Sequence, residues 1–246
     1  MINDIVDWLN DYLENASLHC FVVGVSGGID SAVTSTLAAK TGKPVYVLNM
    51  SIHQSKDQED LGILHMEWLT NNFGNVCVLK FDFSNVFDSF SQSFSDEFKT
   101  NLSFASSRSR LRMMALYQIA SSKNGLVVGT GNKVEDFGVG FFTKYGDGGV
   151  DISPIADLYK SEVYELARKM KILNEIQTAT PTDGLWDDGR TDEDQIGATY
   201  DELERAMKYK EGNLSERDKT VLDIYERFHA NNKHKMIPIP VFRKNT

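Results

Sequence analysis

Four short apolar runs, at residues 21–25, 45–49, 76–81 and 126–129, alternate with longer stretches at 30–40, 56–72 and 107–122 in which apolar residues recur at helical spacing. Short runs that are apolar on both faces describe buried strands, and the helical stretches between them are the crossovers that parallel strands need. The pattern predicts an α/β fold with a parallel sheet covered by helices. Upstream, Ile2, Ile5, Val6, Leu9 and Leu13 form one stripe and Asp4, Asp7, Asp11 and Glu14 another. That is an amphipathic helix rather than an export signal. Beyond Met170 the periodicity lapses into a Thr-, Asp- and Gly-rich stretch at 178–194, read as a lid-like loop. It resumes as two charged helices near 192–209 and 215–231.

Composition narrows the class. A chain of 246 residues that is 41% hydrophobic can bury one large core, so a single domain over 1–246 is expected. A formal charge of -9 without a long basic stripe excludes a nucleic-acid surface, and no apolar run approaches the roughly 20 residues that cross a bilayer. Cys20 and Cys77 both fall in strand-like runs. This predicts two buried thiols in a reducing cytoplasm, not a disulfide framework.

The chemistry concentrates where strands end. Gly24-Val25-Ser26-Gly27-Gly28-Ile29-Asp30-Ser31 joins the first strand to the next helix. A strand that ends in Ser-Gly-Gly and opens a helix presents backbone N–H groups and the positive end of the helix dipole to an anion, and glycine lets the backbone approach it closely. Asp30, in the first turn, is placed to hold magnesium against that anion. Neither Gly-x-x-x-x-Gly-Lys-Ser/Thr nor Gly-x-Gly-x-x-Gly occurs here, so this is a different phosphate loop. A Ser- or Asp-capped turn with no ligand remains the structural alternative for this motif taken alone.

Ser26-Gly27-Gly28-Ile29-Asp30-Ser31 resembles the signature of the pyrophosphatase-loop enzymes, which split ATP between its α and β phosphates to adenylate a substrate. Gly129-Thr130-Gly131-Asn132-Lys133-Val134-Glu135, the run Phe142-Thr143-Lys144-Tyr145-Gly146-Asp147-Gly148-Gly149 and Pro154 through Lys160 narrow the resemblance to the NAD synthetase family. It extends through Arg110-Leu111-Arg112-Met113, Pro181-Thr182, the segment from Asp192 to Gly197, and His234-Lys235, so it covers nearly the whole chain.

The resemblance implies a Rossmann-like, adenine-nucleotide α-hydrolase-type sheet with helices on both faces. It also implies a ligase that amidates deamido-NAD (nicotinic acid adenine dinucleotide) to NAD, the final step of NAD biosynthesis. The carboxylate attacks the α-phosphorus of ATP, pyrophosphate leaves, and ammonia then displaces AMP. By residue, the resemblance makes Asp30 and Glu135 the magnesium ligands. It assigns ATP to residues Gly24 to Ser31 together with Thr130, Lys160 and Thr182, and assigns deamido-NAD to Arg110, Lys144, Asp151, His234 and Lys235. Lys160 and Asp147 become the catalytic pair, Asp147 orienting ammonia or taking its proton.

Local readings stand beside these. Thr130 is equally able to cap the following helix, and Asp147 to close a tight Gly-Asp-Gly-Gly turn. Thr182 without the family match is a surface threonine, and His234 and Lys235 lie in a basic stretch that alone reads as a flexible terminus. Arg108, Arg110 and Arg112 lie two apart on a helix and cannot all face one way. Glutamine-dependent members carry an additional domain with a nucleophilic cysteine, for which 246 residues leave no room, so free ammonia is the expected nitrogen donor. A homodimer is expected, with apolar residues of the 107–122 helix facing either the partner or their own core. The competing functions are a pyrophosphatase-loop enzyme with another acceptor, such as a tRNA or a GMP precursor, and a non-catalytic nucleotide-binding module. The first lacks the Phe-Thr-Lys-Tyr-Gly-Asp-Gly-Gly run, and the second has no need of Asp30, Glu135 and Lys160 together.

Overall fold

The computed structural model describes residues 1–54, 56–182 and 191–244, and residues 183–190 of the loop expected at 178–194 lie outside them. Helix α1 (Ile2–Asn15) leads into β1 (Cys20–Gly24), α2 (Ile29–Lys40), β2 (Val45–Ser51), α3 (Lys56–Asn72) and β3 (Val76–Asp82). Then follow α4 (Ser84–Gln92), α5 (Asn101–Lys123), β4 (Gly125–Val128) and a π-helical turn at Lys133–Val139. The chain closes with α6 (Lys160–Lys169), α7 (Asn174–Thr178), α8 (Asp192–Ile196), α9 (Tyr200–Lys208) and α10 (Glu216–Met236).

The strands form one parallel sheet in the order β3-β2-β1-β4, Phe21 standing opposite both Val45 and Leu126. A parallel bridge between Val128 and Ile152 adds the return of the 140–150 loop beside β4. Side chains alternate across the pleat. Phe21, Val23, Val45, Val47, Leu126 and Val128 pack with α1, α2, α3, α6 and α7, whereas Cys20, Val22, Leu48, Met50 and Val127 pack with α5. Both faces are apolar, which is why the strands read as continuous runs. A third cluster, of Val134, Val139, Ile196, Tyr200, Leu203 and Val221, fastens α8 to α10 onto the π-helical turn.

Several expectations change. Cys77 is exposed, because β3 is the outer strand and only half covered, while Cys20 is buried as expected. The helix expected at 107–122 begins at Asn101, where Thr100 and Ser103 form a capping box, and it ends at Asn124 in the left-handed conformation. The phenylalanine-rich stretch after β3 holds α4, unforeseen in the sequence. His234 and Lys235 lie in the last turn of α10, not in a loose tail, and complement the negative end of its dipole. Among the described residues no helix is long and apolar enough to cross a membrane.

One buried histidine gives the fold a pH dependence. His65, on α3, is fully buried, with Nε2 3.0 Å from Ser35 Oγ, and the Ser35 hydroxyl donates to the Ser31 carbonyl at 2.7 Å in the first turn of α2. Burial lowers the His65 pKa from 6.5 to about 4. The unfolded chain therefore binds this proton first as the pH falls. The stabilisation from neutral His65 is complete above about 6.5 and declines as the pH falls toward about 4, a loss of roughly 3 kcal/mol. Urea unfolding between pH 7 and 4.5 is expected to show this decline, and the His65→Asn variant a flatter one. Parallel curves for the two proteins would remove His65 as the cause.

Candidate active site

The loop after β1 is tied to itself and open outward. Gly27 has φ +94°, a left-handed conformation natural to glycine, and the Val25 amide bonds the Leu48 carbonyl at 2.8 Å. The Ser31 hydroxyl donates to the Gly28 carbonyl at 2.9 Å and accepts from the Ser26 amide at 3.2 Å. Gly28, at the N-cap of α2, offers no side-chain cap, so the first amides of that helix face the cleft.

The turn after β4 meets it. Asn132 is fully buried, and its Oδ1 accepts from the amides of Val134 and Glu135 at 3.0 and 3.1 Å while its Nδ2 donates to Asp30 Oδ1 at 3.0 Å. One amide side chain thus caps the π-helical turn and couples the two strand-end turns. A Cβ on Gly131 would lie 1.9 Å from Asp136 Oδ2, so glycine there makes room for the Asp136 carboxylate.

Lys160 starts α6 and is the centre of the charge network. Its ammonium lies 2.5 Å from Asp30 Oδ2 and 2.9 Å from Glu135 Oε1, with its side chain only 3% exposed. Tyr200 presents its ring to that ammonium at 4.6 Å and donates its hydroxyl to Glu135 Oε1 at 2.5 Å, with Asp192 Oδ2 at 3.2 Å. Burial opposes the charge on Lys160, but the two touching carboxylates prevail and raise its pKa. Burial also works against ionised Glu135, yet Lys160 and the hydrogen bonds it accepts hold its pKa below the usual value. Asp136 is pushed well above the ordinary carboxylate range by burial and by Glu135, Asp147 and Asp30 around it.

Asp147 faces the same cleft. Its Oδ1 accepts from Ser109 Oγ at 2.6 Å and the Thr143 amide at 3.0 Å, and the Ser109 oxygen in turn accepts from the Asp147 amide at 2.9 Å. The turn and the Asp147 carboxylate are one object, fixed to α5 through Ser109. Burial raises its pKa against the pull of these hydrogen bonds.

The loop from Gly24 to Ser31, together with Thr130, Glu135, Asp147, Lys160 and Thr182, lines one cavity of about 300 Å³ beyond the carboxyl ends of the strands. The five residues expected to hold deamido-NAD do not line it. Arg110 Nε donates to the Lys144 carbonyl at 3.2 Å, Lys144 Nζ to the His234 carbonyl at 2.9 Å, and Lys235 Nζ to the carbonyls of Gly140 and, at 2.8 Å, Phe142. These four form a basic group around the 140–145 loop. Asp151 makes none of those contacts, since its oxygens take the Val127 amide and the Tyr117 hydroxyl, each at 2.8 Å. It anchors the loop to the sheet.

Sequence reasoning missed Asn132, Asp136, Tyr200 and the cavity-lining Arg112. An Asn just ahead of a helical turn is a capping signal and marked Asn132. Tyr200 had no local signal, because it reaches Glu135 only through the packing of α9.

The fold and this site define a nucleotide-phosphate-binding α/β protein of the ATP-using ligase type, built around an open helix N-terminus and a carboxylate pair at the strand ends. The chain belongs to the NAD synthase family, whose sequence profile matches residues 1–240. It is 38% identical to the NH(3)-dependent NAD(+) synthetase of Alkaliphilus oremlandii, covering 97% of this chain and 96% of that one. Among solved structures, NMN synthetase from Francisella tularensis superposes with a TM-score of 0.89 at 33% identity, covering 99% of this chain and 97% of that one. The NH3-dependent NAD synthetase of Campylobacter jejuni gives a TM-score of 0.77 at 24% identity over 98% and 97%, a likeness of fold.

Proposed function

We propose that this protein amidates deamido-NAD to NAD with ATP and free ammonia, releasing AMP and pyrophosphate. The observation that carries the reading is Lys160 bridging Asp30 and Glu135 at 2.5 and 2.9 Å in the cleft that holds the phosphate loop. Free ammonia as donor follows the relatives' description as NH(3)-dependent. In this reading the amides at the start of α2 hold the triphosphate. Lys160 turns from the carboxylates to the phosphate oxygens as negative charge gathers there. Asp147, with its raised pKa, suits the task of orienting ammonia and accepting its proton once nitrogen bonds to the acyl carbon. Thr130 and Thr182, both in the cavity lining, add hydroxyls, and the basic group of Arg110, Lys144, His234 and Lys235 receives the dinucleotide's phosphates.

Magnesium fits the carboxylate pair. Asp30 and Glu135 already converge on one cation, the Lys160 ammonium, and are the hard oxygen donors that magnesium takes. When bound there, magnesium supplies charge stabilisation to the phosphate oxygens. The working form in this reading is a cytoplasmic homodimer, supported by exposed apolar side chains in and around α4 and α5, with Phe98 61% and Met114 63% exposed.

A second reading rests on the Francisella likeness, namely that the product is the mononucleotide NMN. Purified protein with magnesium, ATP and ammonium chloride, offered deamido-NAD or nicotinic acid mononucleotide, decides between them. Stoichiometric NAD, AMP and pyrophosphate from the dinucleotide, and none with glutamine as nitrogen source, is expected. Turnover of the mononucleotide alone selects the second reading, and ATP consumption without either amide rejects both.

A further inference from the structure

The three arginines of α5 point to three different ends. Arg108 stacks over the Phe87 ring at 5.3 Å, and Arg110 reaches the Lys144 carbonyl. Arg112 alone of the three lines the central cavity. Its Nε donates to the Met50 carbonyl at 3.0 Å and one terminal nitrogen approaches Gln54 Oε1 at 3.4 Å, both neutral acceptors. A guanidinium carries five N–H groups, so several are left for the cavity. Among the described residues no carboxylate forms an ion pair with it, and Asp147 acts on it only through space. Burial, with the like charge of Arg108, lowers its pKa to about 10. A half-buried guanidinium without an anion is less well solvated than one in water, and that cost is recovered when an anion enters beside it. The phosphate loop lines the same cavity.

We propose that Arg112 is an anion-binding residue of the cleft, donating its remaining N–H groups to a phosphate of the bound nucleotide. The inference rests on the reading of this cleft as a site for phosphate esters. Two substrates carry that chemistry, ATP and the nucleotide acid, and titration separates them. Wild type, Arg112→Met and Arg112→Lys are titrated calorimetrically with inorganic pyrophosphate, with a magnesium complex of a non-hydrolysable ATP analogue, and with deamido-NAD. Arg112→Met is expected to bind at least one of these about 10- to 100-fold more weakly, the size of a lost charge-assisted hydrogen bond. Arg112→Lys keeps the charge without the fork and is expected to fall between. Loss confined to pyrophosphate and the analogue places Arg112 on ATP; loss confined to deamido-NAD places it on the acid.

The ligand-free melting temperature supplies a separate readout. A residue kept for structure lowers it when replaced, whereas removal of a half-buried charge without an ion-pair partner leaves it unchanged or raises it. If Arg112→Met does not fold, Arg112→Gln, which retains an N–H for the Met50 carbonyl, takes its place. Unchanged affinity for all three probes overturns the proposal. A wild-type protein that binds none of them overturns the reading of the cleft instead.

Discussion

Replacing Lys160 with methionine is expected to lower turnover by about a hundred- to a thousandfold. Methionine fills nearly the same space, so the packing of α6 survives and the change is almost purely one of charge. The ammonium holds two carboxylates at 2.5 and 2.9 Å, and in its absence Asp30 and Glu135 face each other without a counter-charge. Leaving a buried charge unpaired costs about 3–5 kcal/mol in stability, and loss of one preorganised positive group at a phosphoryl-transfer centre removes about 10²–10³ in rate. The methionine variant is also expected to bind Mn²⁺ without nucleotide more tightly than wild type, because the ammonium no longer holds the position between the carboxylates. Single-turnover assay and Mn²⁺ titration check the two halves. Turnover above a tenth of wild type removes Lys160 from the chemistry.

Asp30→Ala and Glu135→Gln are each expected to lower turnover by orders of magnitude, and the double variant by no more than the worse single one. Groups that act as a unit lose their function together, so their effects do not add. Read from the sequence as a surface carboxylate, Asp30 is expected to be removable at little cost to the fold. The structure corrects that: its side chain is 16% exposed and paired with a nearly buried ammonium. Asp30→Ala is therefore expected to lower stability by roughly 1–3 kcal/mol as well, since Lys160 retains only Glu135. Chemical denaturation checks the stability, and a double-mutant cycle in kcat checks the coupling. Losses that simply multiply would show that the two carboxylates act independently.

The sheet was legible because its strands are buried on both faces, which leaves uninterrupted apolar runs at 21–25 and 45–49. The loop at 24–31 was legible as an open strand-to-helix turn because its geometry is backbone geometry, written in consecutive residues. Tyr200 and Arg112 were not, since each acquires its meaning from a partner on another element: Glu135 for the tyrosine, the cleft wall for the arginine. Cys77 was misplaced for a related reason, because an apolar run marks a strand without saying whether that strand is central or at the edge. Helix α4 was hidden by its phenylalanines, whose spacing serves α5 as well as its own face; Phe87 stacks edge-on against Phe104.

Lys160 and Asp30 are separated by 130 positions and Tyr200 and Glu135 by 65, yet all four meet around one ammonium. Contacts of such long sequence separation form late, after loop closure has been met by nearer pairings. A chain arrested with α1, α2 and the first three strands in place would own a finished phosphate loop and no counter-charge for Asp30. Catalytic competence therefore waits on the joining of segments 130 positions apart, and activity is expected to recover after denaturation no sooner than the sheet does, which parallel refolding traces of activity and circular dichroism check.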